Sequence, residues 1–132
     1  MKTIVTGGAG FIGSHLVEGL LAAGHQVLVL DNFATGRPQN LAPLAQHPHL
    51  TVQVADVTES AAIRPLFAGV DWVFHLAALA DIVPSMQRPL DYHRANVDGT
   101  ASVVECARLA GVKRFVYLLE GEQVPAELLS AE

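Results

Sequence analysis

The chain is predicted to adopt a doubly wound α/β fold, a parallel sheet with helices on both faces, and three observations predict it. Short apolar runs alternate with helical patterns from the first residues onward. The first run, Ile4-Val5-Thr6, opens into Gly7, Gly10 and Gly13 at a G-x-x-G-x-x-G spacing and then into a helical pattern. The second run ends on Asp31, eighteen residues beyond Gly13. Five strands in the order 3-2-1-4-5 are expected from this alternation.

The first strand spans about Thr3 to Thr6. The helix after it places Ile12, Leu16 and Leu20, with Val17 and Leu21, on one face, and Gly24 stops it. Gln26 to Leu30 reads as a second strand, apolar beyond its first residue. From Asn32 to Leu50 the chain reads as loop, broken at Gly36, Pro38, Pro43 and Pro48. Thr51 to Ala55 is the third strand, ending at Asp56. Thr58 caps a short helix through Phe67, which Pro65 kinks or shortens. Asp71 to Leu76 is the fourth strand, followed by the small residues Ala77 and Ala78. A long helix from about Asp91 to Ala110 turns Leu90, Val97, Ala101 and Val104 inward, leaves Val103 and Ala107 outside, and stops at Gly111. Arg114 to Leu119 is the fifth strand, with Phe115, Val116, Leu118 and Leu119 along an open edge of the sheet.

At 132 residues, 51% of them hydrophobic, the chain has the size of one domain with a real core. No run approaches the roughly 20 apolar residues that cross a bilayer. Met1-Lys2 leads straight into a strand, unlike a signal peptide. Cys106 is the sole cysteine and reads as a half-buried thiol, so no disulfide or metal framework is expected and a reducing cytoplasm is. His47-Pro48-His49 lacks a third ligand nearby and reads as loop polarity. The net charge is −5, and Glu120, Glu122, Glu127 and Glu132 carry four of those five charges into the last thirteen residues. The remainder is nearly neutral and has no basic stripe, which argues against nucleic acid as a partner.

The glycines carry the chemistry. Gly7 suits a tight turn, Gly10 gives a diphosphate access to backbone N–H groups, and Gly13 permits close contact of helix with strand, while the helix adds its positive end. The backbone of Phe11 and Ile12 is expected along the dinucleotide, with both side chains in the core. A carboxylate at Asp31 accepts hydrogen bonds from ribose hydroxyls and repels a 2′-phosphate, which favours NAD over NADP. Arg37, in the loop beyond, is either solvated or placed to neutralise such a phosphate. Asp56 either meets the exocyclic amine of an adenine or caps the next helix. Leu76, Ala77 and Ala78 are small enough for a backbone that passes close to a cofactor. His75 reads as a packed strand residue. Asn96, unfavourable inside a helix, either faces solvent or holds a water or backbone group beneath the cofactor.

Taken together, Thr6-Gly7-Gly8-Ala9-Gly10-Phe11-Ile12-Gly13-Ser14-His15, Asp31-Asn32-Phe33-Ala34-Thr35-Gly36-Arg37, Asp56-Val57, His75-Leu76-Ala77-Ala78, Asn96-Val97-Asp98-Gly99-Thr100 and Arg114-Phe115-Val116-Tyr117 resemble the extended short-chain dehydrogenase/reductases, in particular the NAD-dependent nucleotide-sugar epimerases and dehydratases. The resemblance covers residues 2 to 117. It implies a Rossmann-like NAD-binding domain over residues 1–119, truncated relative to the family, with residues 120–132 as an acidic tail or a short helix after Pro125 that uses Leu128 and Leu129. It implies that Asp31 and Asn32 hold the adenosine ribose, with Thr35 and Gly36 in the same loop. It further implies that Asp56 and Val57 flank the adenine, that Ala77 and Ala78 line the cofactor, and that Asn96 supports the active-site backbone. The long helix commonly packs against its twin in a homodimer of such proteins. The family's Tyr-x-x-x-Lys pair is missing: the tyrosines are Tyr92 and Tyr117, and Asn96 and Gly121 stand four residues beyond them. No catalytic residue is therefore assigned, and the chain is expected to be either a truncated enzyme or a small NAD-binding module with a replaced ending.

Overall fold

A computed structural model describes residues 1–77 and 86–117. Five strands, β1 (Lys2–Thr6), β2 (Gln26–Asp31), β3 (Leu50–Val54), β4 (Trp72–His75) and β5 (Arg114–Tyr117), form one sheet in the order β3-β2-β1-β4-β5. Every neighbouring pair is parallel. The expected order and handling of the sheet hold, because each strand returns through helical chain that covers a face. Successive side chains of β1 point to opposite faces. Ile4 joins Leu30, Ile63, Phe67, Val73, Val103 and Cys106 on one side, while Val5 joins Val17, Leu20, Leu21, Val29 and Leu41 on the other.

Helix α1 (Phe11–Ala22) buries Val17, Leu20 and Leu21 as its spacing predicts. Gly24, at φ +87°, ends it. The expectation that Phe11 and Ile12 point into the core is corrected: they are 75% and 46% exposed. The buried residues in the first turn of α1 are Gly13 and Ser14. The stretch read as loop contains a short helix α2 (Pro38–Leu41) and a 3₁₀ turn (Ala42–Leu44). Pro38 stands in the first turn of α2, where its fixed φ favours a helix start.

Thr58 does not cap the next helix. Its amide and hydroxyl both donate to Asp56 Oδ1, at 2.9 and 2.6 Å, and α3 (Ser60–Ile63) starts after Glu59. Pro65 shortens that helix as expected, and the chain tightens to a 3₁₀ turn over Arg64–Phe67.

The long helix departs most from expectation. It consists of α4 (Pro89–His93), a π-helical turn (Arg94–Asp98) and α5 (Gly99–Ala110). The face read as inner lies outside: Leu90, Val97 and Val104 are 83%, 53% and 44% exposed, and Ala101 is exposed too. Val103 and Ala107, read as outer, are buried with Tyr92, Gly99 and Cys106. Small size decides the contact: a Cβ on Gly99 would come within 3.1 Å of a Val57 methyl. The wide turn also breaks the 3.6-residue period on which a single face depends. Cys106 is fully buried instead of half-buried, with Sγ 3.7 Å from the Ser60 carbonyl oxygen.

Among the described residues strand β5 lies at one edge of the sheet, with Phe115 packed on the core and Val116 and Tyr117 exposed. Ala78, Leu118, Leu119 and the expected tail helix with Leu128 and Leu129 lie outside the described residues. Among the described residues no helix is long and apolar enough to cross a membrane.

Candidate functional site

Where the strands end in glycines, alanines and carboxylates, the surface opens into a cleft of about 380 Å³. Its floor is the turn between β1 and α1. Gly7 adopts φ +70°, and a Cβ there would lie 2.8 Å from the Ala77 nitrogen. A Cβ on Gly13 would overlap the Gly7 carbonyl oxygen. Only glycine fits at either place, which is why helix and strand approach so closely. Gly10 precedes α1 and offers no side-chain cap. The amides of Phe11, Ile12 and Gly13 thus have no intrahelical acceptor and open on the cleft these residues line.

Asp31 ends β2 and is buried, yet it lines the same cleft. Its Oδ2 accepts the Ala9 amide at 3.0 Å and its Oδ1 accepts the Phe33 amide at 2.8 Å. The carboxylate therefore shapes the glycine turn from below while keeping further lone pairs for a ligand's hydroxyls. Asn32, Thr35 and Gly36 line the cleft beside it, and Gly36 has no room for a Cβ, which would sit 2.8 Å from Asp31 Oδ2. Arg37 is exposed and contributes its amide to the Ala9 carbonyl oxygen, so its guanidinium is not in the lining.

Asp56, Val57 and Thr58 form the far wall. The Thr58 hydroxyl, then its amide and Arg94, hold the Asp56 carboxyl below the usual carboxylate range against the opposing effect of burial. Arg94 reaches Thr58 Oγ1 at 2.7 Å, Glu59 Oε1 at 3.0 Å and Asp56 Oδ2 at 3.5 Å. Exposed pairs of this kind contribute little stability; here they fix where the π turn stands. Sequence reasoning missed Thr58, Asp91, Arg94 and Ala95, all of which line the cleft. The one available signal was Gly99, a poor helix former in a helix read as uniform.

Leu76 and Ala77 close the cleft opposite Gly7. Asn96 is not in the lining; it sits in the π turn, and its carbonyl oxygen accepts the Thr100 hydroxyl at 2.6 Å. His75 is fully buried and packed, and burial lowers its imidazole from 6.5 to about 4. In the loop before β3, His47 Nδ1 accepts the His49 amide at 3.1 Å, and no group of metal-ligating side chains assembles among the described residues.

Comparison with known proteins agrees with this geometry. The family model described as "NAD dependent epimerase/dehydratase family" matches residues 3–127. The chain is 38% identical to 3-beta-hydroxysteroid dehydrogenase of Mycolicibacterium neoaurum, over 88% of this chain and 31% of that protein. It is 38% identical to UDP-glucose 4-epimerase of Mus musculus, over 88% of this chain and 36% of that protein. The crystal structure of a dTDP-glucose 4,6-dehydratase from Streptomyces venezuelae, solved with NAD and TYD bound, superposes with a TM-score of 0.83 at 37% identity, over 87% of this chain and 38% of that one. The chain thus spans about a third of the length of these relatives. With its glycine turn, its Asp31 and its 3-2-1-4-5 sheet, it belongs to the NAD-dependent epimerase/dehydratase family.

Proposed function

We propose that residues 1–119 are the NAD(H)-binding part of a nucleotide-sugar epimerase or dehydratase, resembling the N-terminal part of UDP-glucose 4-epimerase, and that these residues alone do not complete the reaction. One observation carries the reading: Gly7 and Gly13 leave a cradle that any Cβ would fill, beside the buried carboxylate of Asp31. The residues fit the dinucleotide. The amides of Phe11, Ile12 and Gly13 suit its diphosphate, Asp31 and Asn32 its adenosine ribose, and Asp56 with Val57 the adenine. Leu76 and Ala77 would border its nicotinamide half. NAD, when bound, supplies a hydride acceptor for a carbinol. This chain's own contribution is to bind and orient, because a carbinol proton needs an acceptor and no Tyr-x-x-x-Lys pair exists in the sequence. That same lack supports a second reading, a non-catalytic NAD-sensing or partner-binding module. The named relatives act on nucleotide sugars and, in one case, a steroid.

The exposed apolar residues Leu90, Val97 and Val104 support a homodimer through this segment, and the edge position of β5 among the described strands supports a second route to association. A cytoplasmic location fits the lone thiol of Cys106, and the acidic charge fits the absence of a nucleic-acid partner. Titration calorimetry with NAD, NADH and NADP tests the central reading: NAD and NADH bind, and NADP binds more weakly. Equal affinities refute the role of Asp31, and no binding at all refutes the site. The purified chain neither epimerises UDP-sugars nor reduces NAD with them; turnover above a no-enzyme control overturns the incompleteness.

A further inference from the structure

A run of hydrogen bonds, buried at the Thr6–His75 contact and partly buried elsewhere, links one wall of the cleft to the other through His75. The Ala77 amide donates to Thr6 Oγ1 at 3.1 Å, and the Leu76 amide is shared between Thr6 Oγ1 and the Thr6 carbonyl oxygen, each at 3.1 Å. Thr6 Oγ1 lies 2.7 Å from His75 Nδ1. On the far side of the ring, Nε2 lies 3.0 Å from Thr100 Oγ1, whose hydroxyl reaches the Asn96 carbonyl oxygen at 2.6 Å. The ring itself is stacked on Tyr117, with centroids 5.5 Å apart, and tilted against Phe115.

The partners at the two ends of the run favour one direction for its protons. A hydroxyl has one proton and two acceptor sites. Thr6 Oγ1 accepts the Ala77 amide and a share of the Leu76 amide, which leaves its proton for Nδ1. Thr100 spends its proton on the Asn96 carbonyl, so it accepts from Nε2. Both ends therefore favour the same neutral form, with the proton on Nε2. The other tautomer would bring a third donor to Thr6 and leave its hydroxyl proton without an acceptor.

The ends of the run are the two walls of the site. Ala77 is pressed against Gly7, and Asn96 lies in the π turn next to Arg94 and Ala95, which line the cleft. We propose that His75 is a positioning residue for the dinucleotide: as the Nε2–H tautomer, held between Thr6 and Thr100, it sets the Leu76–Ala77 wall against the π-turn wall. The inference rests on the reading of the cleft as an NAD site. It needs no contact between His75 and the cofactor, since the ring acts through the Ala77 backbone.

Calorimetric titration of the full chain with NAD decides the matter, together with the ring nitrogen shifts of His75 in wild-type protein. Thr6→Val, which keeps the shape and removes the hydroxyl, and His75→Phe, which keeps the ring and removes both nitrogens, each weaken NAD binding about tenfold. Thr6→Ser, which restores only the hydroxyl, recovers wild-type affinity to within about threefold. The ring spectrum shows an unprotonated Nδ1 and a protonated Nε2 before any ligand is added. Wild-type affinity in folded Thr6→Val, or no recovery in Thr6→Ser, overturns the inference. A wild-type chain that binds no NAD overturns the reading of the cleft instead. If the Val and Phe variants do not fold, the wild-type spectrum still decides: a proton on Nδ1 refutes the run as drawn, and one on Nε2 upholds it.

Discussion

Acidification offers a quantitative test of how His75 is held. Burial, with no charged partner, lowers its imidazole from 6.5 to about 4. The unfolded chain therefore takes up a proton at this residue in a range where the folded chain does not. Stability contributed by the neutral ring is fully present above 6.5 and is lost as the pH falls toward 4. Integrating the difference in bound protons gives a loss of about 2 kcal/mol between pH 7 and pH 5 and about 3 kcal/mol by pH 4. Small domains have roughly 5–15 kcal/mol in all, so the loss is easily measured. Urea unfolding of the wild-type chain and of His75→Phe at half-unit steps from pH 7 to pH 4 isolates it, because the other histidines are common to both proteins. The variant starts less stable, having lost the ring's hydrogen bonds to Thr6 and Thr100, but its stability falls less steeply with acid. Parallel curves refute the buried neutral ring. Below pH 4 the depressed carboxyls of Asp56 and Glu105 add losses of the same sign, so the comparison is read above that point.

Three further outcomes are expected. Asp31→Asn leaves one oxygen for the two amides that now share a carboxylate, so urea unfolding reports a loss of roughly 1–3 kcal/mol and calorimetry a smaller preference for NAD over NADP; unchanged values in both refute the double role. Gly13→Ala drives a methyl into the Gly7 carbonyl, costing roughly 1–3 kcal/mol in thermal or urea unfolding and abolishing NAD binding in calorimetry, whereas Gly19→Ala, at an open helix position, leaves binding intact. Light scattering coupled to gel filtration finds mass rising with loading in wild type, and Val97→Glu shifts it to monomer; one monomer mass throughout rules out the Leu90–Val97–Val104 stripe as an interface.

The sheet was legible because parallel strands buried on both faces are apolar throughout, as Val27 to Leu30 are, and because glycines separate them from helices. The glycine turn and Asp31 were legible for a related reason: steric demands at Gly7 and Gly13 admit one residue type, so the residue reveals the geometry. What failed was the facing of the long helix. Leu90, Val97 and Val104 are as apolar as Val103, and hydropathy cannot tell a helix face pressed on a sheet from one left exposed. Gly99, Cys106 and Ala107 marked the true inner side by their size. Arg94 escaped notice because its place on the cleft depends on the π turn, and no proline or glycine within Arg94–Asp98 announces one.

The two amides seated on Asp31 bear on any attempt to change the cofactor preference of this domain. The obvious route to accepting a 2′-phosphate is to replace the acid with a small neutral residue and to recruit a cation such as Arg37. Here that exchange would also withdraw the acceptor for Ala9, inside the glycine turn, and for Phe33, which holds φ +60° just after the strand. On the proposed reading of the site, cofactor choice and the shape of the glycine turn thus depend on one side chain. A working exchange must bring new acceptors for both amides. The natural place to seek one is Asn40, whose Nδ2 already donates to the Ala9 carbonyl oxygen at 2.7 Å. Divergence of preference within such a domain would then proceed by paired substitutions, one at Asp31 and one in the Pro38–Leu41 helix, with either alone a destabilised intermediate.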